Sequence, residues 1–384
     1  MLSCKHAKFT LPPKVTYLNC AYMAPLLTSV EKAGIRGIRV KRNPAVVSPQ
    51  MFFDDTELLR KSFSSLVNAD DPHRIVVIPS VSYGMATVAA NMTVKRGQHI
   101  LVAAEQFPSN YYCWKRLCEK SGAEIKLIGP PETHVNRGKV WNERILNEIN
   151  AQTAAVAIAH FHWADGTRFD LEAIREKTRA VNALLIVDGT QSVGAFPFDI
   201  KTFQPDALIC AGYKWLLGPY SIGLAYYGPA FDNGNPLEEN WINRENSEDF
   251  TGLVNYRDAY QPGALRYEVG EHSNFILVPM MLKAIDQLNR WKPEFIQEYC
   301  RNITKPAISQ LRENGYWVED DEWRGSHLFG VRSIVPRDVS SIQQKLLQKN
   351  IFVSMRGDAI RVSPNVYNRE QDLQKLVNVL VSKS

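Results

Sequence analysis

The chain has 384 residues, 45% of them apolar and 22% charged, a composition that excludes disordered, fibrous and collagen-like chains and leaves room for two to three domains or one large one. Its 45 lysines and arginines against 40 acids leave a net charge of +5 with no block of like charges, so neither the footprint of a nucleic-acid binder nor a polybasic membrane face is present. At most, this balance favours small anionic ligands.

Met1 to Lys14 has no apolar core after its lysines, and no later run is long and uncharged enough to cross a bilayer, so a soluble cytoplasmic chain is expected. Six cysteines (Cys4, Cys20, Cys113, Cys118, Cys210, Cys300) are too few for a disulfide scaffold and none forms a CxxC pair, which predicts reduced thiols and no structural zinc.

Amphipathic helical patterns near Pro25–Arg42 and Asp54–Val67 come first. Seven short β-rich apolar runs follow, at 74–78, 99–105, 124–128, 154–160, 183–188, 206–211 and 222–228. Between them lie mostly amphipathic segments such as Asn110–Ser121, Asn142–Ile149 and Leu171–Val181. Strands alternating with helices predict an α/β domain with a mostly parallel sheet of seven strands covered on both faces. Asp232–Gly263 reads as irregular loops. Helical periodicity returns at Ile276–Trp291 and Glu294–Asn314, and the remainder predicts a small α+β domain: strand His327–Arg332, helix Val339–Lys349, strands Ile351–Met355 and Ala359–Val362, and helix Arg369–Lys383. The expected division is an N-terminal segment (1–16), a large α/β domain (17–265) and the small C-terminal domain (266–384).

Two strand ends carry the strongest chemical signal. The run ALLIVDGTQSVG (183–194) closes its strand on Asp188, and DALICAGYKWLLGP (206–219) places Lys214 just past the next strand, 26 residues later. Ligands of parallel sheets sit beyond the carboxyl ends of the strands, so an acid and a lysine there can face one pocket. Taken alone, such an Asp is often a helix cap and such a Lys is usually solvated.

This pair and its surroundings resemble the class V aminotransferase family of fold-type I pyridoxal phosphate enzymes, the group that also holds cysteine desulfurases, kynureninases and isopenicillin N epimerases. The similarity runs from about Tyr17 to Asn368. It implies that Lys214 forms a Schiff base with pyridoxal phosphate and that Asp188 pairs with the pyridinium nitrogen, which keeps the ring able to take up carbanion charge. It gives Gln191 a hydrogen bond to the ring's phenolic oxygen. The turn IPSVSYGMAT (78–87) would cradle the phosphate with backbone N–H groups and Ser82, Val81 standing where relatives carry a second hydroxyl. Gly84 would allow close packing there. Phe107 would stack on the pyridine face, and Trp163 would lie near cofactor and substrate.

The stretch AIRVSPNVYN (359–368) resembles the family's substrate signature, in which Arg361 binds the α-carboxylate as a bidentate fork; Arg356 is a second candidate. The substrate pocket is expected to draw on the loop Asn19–Pro25, with Asn19 and Ala21 as binding residues, and on 232–263. The segment RYEVGEHSN (266–274) resembles the stretch that reaches the partner subunit's phosphate in a homodimer, but Glu271 or His272 stands where a threonine is expected, so that either Ser273 or Asn274 takes over the role or the contact between subunits is absent. Ala211 replaces a frequent hydroxyl and Tyr213 a frequent histidine, and the Tyr213 hydroxyl can still donate to phosphate.

His160 and His162 would share one face of a strand like a metal pair, yet no third ligand completes them, and hydrogen-bonded structural histidines are expected instead. No cysteine occurs in 350–361, where desulfurases carry their nucleophile, which argues against that activity. The resulting expectation is a pyridoxal phosphate enzyme acting on an α-amino acid, an aminotransferase using a 2-oxo acid, with a kynureninase-like β-lyase or an epimerase as the alternative. A non-catalytic cofactor-binding protein is disfavoured by Lys214, Asp188 and Arg361 together. A dinucleotide oxidoreductase is disfavoured because no GxGxxG follows a strand.

Overall fold

The protein is described by a computed structural model covering residues 2–335 and 337–382; the expected end of the last helix at Lys383 lies outside the described residues. Strand β1 (Thr16–Tyr17) precedes helices α1 (Thr28–Val40) and α2 (Asp54–Leu66). The main sheet and its helices follow as β2 (Ile75–Ile78), α3 (Val81–Ala90), β3 (His99–Ala103), α4 (Tyr112–Ser121), β4 (Glu124–Ile128), α5 (Arg137–Glu148), β5 (Thr153–Ala159), α6 (Leu171–Ala180), β6 (Leu184–Asp188), α7 (Ile200–Phe203), β7 (Ala207–Ala211) and β8 (Gly223–Tyr227). Then come α8 (Leu277–Trp291), α9 (Pro293–Glu313), β9 (Tyr316–Val318), β10 (Phe329–Ser333), α10 (Val339–Gln348), β11 (Ile351–Phe352), β12 (Ser354–Arg356), β13 (Ala359–Val362) and α11 (Glu370–Val381).

All seven expected strands join one sheet in the order β2-β8-β7-β6-β5-β3-β4. β8 pairs antiparallel with both neighbours and the other pairings are parallel. Six strands therefore point their carboxyl ends at one edge, where β8 begins. β6 and β7 are apolar almost throughout because helices cover both faces of a parallel sheet. Helix starts are set by short polar caps: Ser80 Oγ accepts from Tyr83 N at 3.2 Å ahead of α3, and Asp170 Oδ1 accepts from Ala173 N at 3.1 Å ahead of α6. Helix α8 buries its apolar face against α1 and α2. Among the described residues no helix is long and apolar enough to cross a membrane.

The C-terminal part holds an antiparallel sheet in the order β12-β13-β10-β9. The expected strand 351–355 is divided: Ile351 and Phe352 pair in parallel with Thr16 and Tyr17, whereas Ser354–Arg356 turns into the small sheet opposite β13. Its first half has a partner more than three hundred residues away, which local periodicity does not reveal. Strand β9 was likewise not expected. Helix α5 starts at Arg137, five residues before the expected Asn142, and Gly138 in its first turn packs against Trp323; a Cβ at Gly138 would lie 2.4 Å from the Trp323 Cβ.

Gly84 brings α3 down onto the sheet. A Cβ there would meet Ile209 Cγ2 at 2.8 Å and Ile78 Cδ1 at 3.0 Å. Gly84→Ala is expected to lower stability by about 1–2 kcal/mol, the cost of overpacking less the gain in helix propensity. Thermal melting of the two proteins checks this, and an unchanged midpoint would mean that α3 is free to shift.

Candidate active site

Five of the six carboxyl ends at that edge open into one cavity of about 310 Å3. β2 leads to Ser80, Val81 and Ser82; β3 to Gln106 and Phe107; β5 to Trp163; β6 ends on Asp188, Thr190 and Gln191 following; and β7 leads to Tyr213 and Lys214. Tyr220, Ser221 and Ile222 close the wall as the chain enters β8. The structure thus brings together Lys214, Asp188, Gln191, Ser82, Val81, Phe107, Tyr213 and Trp163.

Among the described residues Lys214 is the one amine lining the cavity. It is 7% exposed, with Nζ 5.4 Å from the Phe107 ring centroid and 5.6 Å from that of Tyr213. Burial first, and then the positive charge of Arg361, lower its pKa to about 8, against an opposing pull from Asp188. Asp188 is 6% exposed, and one carboxylate oxygen accepts from Thr190 N at 3.0 Å. It forms no salt bridge among the described residues, and burial pushes its pKa up. A buried carboxylate without a cation is poised for a cationic ligand group.

In the same cavity α3 presents its N-terminus. The first-turn amides of Val81 and Ser82 have no carbonyl within the helix to bond, and Ser82 Oγ lies 2.9 Å from Ser80 Oγ. A helix start with two hydroxyls suits a phosphate group. Phe107 meets Trp163 edge-on, with centroids 5.4 Å apart. The Trp163 indole N–H donates to Glu105 O at 2.7 Å, which fixes the ring at the cavity mouth. The Gln191 amide is engaged on both sides: its Oε1 accepts from Trp215 Nε1 at 2.8 Å and its Nε2 donates to Ala21 O at 3.2 Å.

Arg361 is 1% exposed and lies behind this wall; its Nη1 donates to Trp163 O at 2.8 Å and its Nη2 to Ser354 Oγ at 3.3 Å. Burial and the neighbouring Arg356 hold its pKa down at about 9. Asn19 and Ala21 do not line the cavity. Asn19 Oδ1 accepts from Ser354 Oγ at 2.8 Å, and Ala21 N donates to Ser363 Oγ at 3.0 Å, so both brace the strands that carry the arginines. Ser273 and Asn274 also lie outside the cavity of their own chain; Asn274 Oδ1 caps α8 by accepting from Leu277 N at 2.9 Å. Their segment is fixed by the buried Glu268, which accepts from Val77 N at 2.8 Å and pairs with Arg60.

The two histidines diverge. His162 is hydrogen-bonded as expected, its Nε2 3.2 Å from Glu105 O, whereas His160 is not: it sits among Phe161, Phe196, Phe198 and Phe203 with its Nδ1 buried without a partner, and burial lowers its pKa to about 3. No group of three possible metal ligands occurs among the described residues. Sequence reasoning missed Thr190, Ser80 and the Tyr220–Ile222 wall. For Ser80 a signal was present, a serine directly before a helical run. The last wall depends on left-handed backbone at Ser221 (φ 66°) and Leu217 (φ 56°), which these residue types do not announce.

A buried lysine, a buried carboxylate and an anion-binding helix start at the carboxyl edge of such a sheet define a pyridoxal phosphate enzyme of fold type I, and pyridoxal phosphate is its cofactor. The residues fit that group: Asp188 lacks a cation, α3 offers free amides, and Lys214 supplies the amine. The chain belongs to the Aminotransferase class-V family, whose sequence profile matches residues 48–376. It is 25% identical to an uncharacterised aminotransferase of Bacillus subtilis, YcbU, over 86% of this chain and 84% of that protein. It is 24% identical to a probable cysteine desulfurase of Methanothermobacter thermautotrophicus, over 84% and 82% of the two chains. Among solved structures, its fold follows that of the cystine C-S lyase C-DES in complex with cysteine persulfide, with a TM-score of 0.85 and 20% identity, covering 96% of this chain and 98% of that one.

Proposed function

We propose that this pyridoxal phosphate enzyme is an aminotransferase: it moves the amino group of an α-amino acid to a 2-oxo acid in the cavity around Lys214. The observation that carries the reading is that Lys214 is, among the described residues, the one amine lining the cavity, a group able to carry a proton both ways, with burial lowering its pKa. Transamination needs one such base, at the substrate Cα. Desulfuration needs in addition a thiolate, and no cysteine lines the cavity. When bound, the cofactor supplies the electron sink for the pair left at Cα. Lys214 would hold the cofactor covalently and move the Cα proton, Asp188 would keep the ring nitrogen protonated, the start of α3 would hold the phosphate, and Arg361 would orient the substrate carboxylate. The enzyme is a cytoplasmic homodimer in this reading, segment 266–274 serving the partner's cavity.

Incubation with an amino acid and no 2-oxo acid tests it. An aminotransferase makes one equivalent of oxo acid per site and stops until an acceptor is added. Continued turnover with release of ammonia would replace this reading with a lyase.

For Arg361→Lys, the charge stays and the fork is lost. The expected result is a fall in kcat/KM of about tenfold or more for amino acids, with cofactor occupancy retained. Equal losses for amino acids and for the matching decarboxylated amines would remove Arg361 from the substrate site.

A further inference from the structure

Two guanidinium groups, not one, lie behind the Trp163 wall of this cavity with no acid paired to them among the described residues. In the β12–β13 hairpin Ser354 pairs with Arg361 and Arg356 with Ala359, so Arg356 and Arg361 occupy one face as diagonal neighbours, about 7–8 Å apart at the backbone. Both converge on Trp163. Arg361 donates to its carbonyl, and the Arg356 guanidinium lies 5.2 Å from the centroid of its ring. Arg356 Nη1 donates to Met355 O at 2.7 Å, while the Nε atoms of both arginines are buried without a partner. The acid nearest in sequence, Asp358 in the hairpin turn, is drawn away by Arg332 Nε at 2.9 Å.

Two like charges sharing a partly desolvated face without a counterion are costly, and each arginine has its pKa lowered by burial, Arg361 also by Arg356. A ligand with one carboxylate neutralises only one of them. We propose that the substrate is a dicarboxylic amino acid, its α-carboxylate paired with Arg361 and its side-chain carboxylate with Arg356, against the Trp163 ring. This rests on the enzyme reading above and adds the substrate class. Arg356 is then the specificity-determining residue, since a planar guanidinium pairs bidentately with a carboxylate and gives a neutral amide much less.

The test uses the holoenzyme. Values of kcat/KM for L-glutamate and L-aspartate are compared with those for L-glutamine and L-asparagine, in wild type, Arg356→Gln and Arg356→Lys. Binding of glutarate, succinate and butyrate is followed in parallel by calorimetry, and circular dichroism confirms folding of each variant. The expected result is a preference of about tenfold or more for one acid over its amide, collapsing towards unity in Arg356→Gln and falling between the two in Arg356→Lys. One dicarboxylate should also bind more tightly than butyrate in wild type and lose that advantage in Arg356→Gln. The proposal is overturned if the amides react as well as the acids, or if Arg356→Gln lowers both equally, the result expected when both arginines clamp one α-carboxylate. Reaction of neutral amino acids alone would remove the substrate class and leave the enzyme reading intact. No spectral change of the cofactor with any amino acid would remove the enzyme reading itself.

Discussion

Lys214→Ala is expected to abolish covalent attachment of the cofactor and to lower turnover by about four orders of magnitude or more, the scale on which enzymes lose activity with their nucleophile. Among the described residues no second amine lines the cavity to take over. Borohydride reduction of the wild-type holoenzyme followed by peptide mapping should place the label on Lys214, and a label on another lysine would refute the assignment. The same residue fixes a pH dependence. Only the neutral amine attacks a carbonyl, and burial together with Arg361 lowers the Lys214 pKa to about 8. Capture of added cofactor by the apoprotein should therefore rise with pH and level off above about 8. Arg361→Gln removes a neighbouring positive charge, which favours the protonated amine, and the plateau should move to higher pH.

The second large effect concerns Asp188→Asn, which should retain cofactor and lose about two orders of magnitude or more in kcat, as when one preorganised electrostatic partner is removed. The amide oxygen can still accept the Thr190 N–H, so the turn should persist. Stability gives an independent readout. Because burial raises the Asp188 pKa, the wild-type apoprotein gains from protonation of this residue, and that contribution is lost as pH rises through the folded pKa. The apo Asn variant should accordingly melt higher than wild type at neutral pH, with the gap closing as pH falls below the ordinary carboxylate range. Cofactor, by giving the carboxylate its cation, should narrow or reverse the gap at neutral pH. Near-normal turnover of the variant would reduce Asp188 to a turn residue.

What could be read from the sequence follows the range of the forces involved. The strands β2 to β8 were legible because a doubly covered strand must be a continuous apolar run, and Asp188 and Lys214 were legible because they interrupt such runs at their carboxyl ends. Helix α5 was misplaced at its start because its first turn holds Gly138, a residue of low helix propensity, whose packing against the distant Trp323 is not visible locally. The role of Asn19 and Ala21 was hidden for the same reason. Each bonds a serine more than three hundred positions away, Ser354 to Asn19 Oδ1 and Ser363 to Ala21 N. Arg356 illustrates the converse. Its sequence neighbour Asp358 suggests a local ion pair, and only the hairpin register shows that acid turned towards Arg332.

The pairing of Thr16 and Tyr17 with Ile351 and Phe352, continued by the bridge from Asn19 to Ser363, has a consequence for biosynthesis. During translation the first of these segments leaves the ribosome on the order of tens of seconds before the second exists. Over that interval the seven-stranded sheet can assemble with Lys214 and Asp188 in place, while the early strand stays unpaired and the arginines of β12 and β13 have not been made. Ordering of the substrate side must therefore be a late event of high contact order, slow relative to closure of the sheet. A nascent chain arrested near residue 345 should accordingly be compact in its central strands, sensitive to proteolysis before Thr28, and unable to discriminate among amino acids.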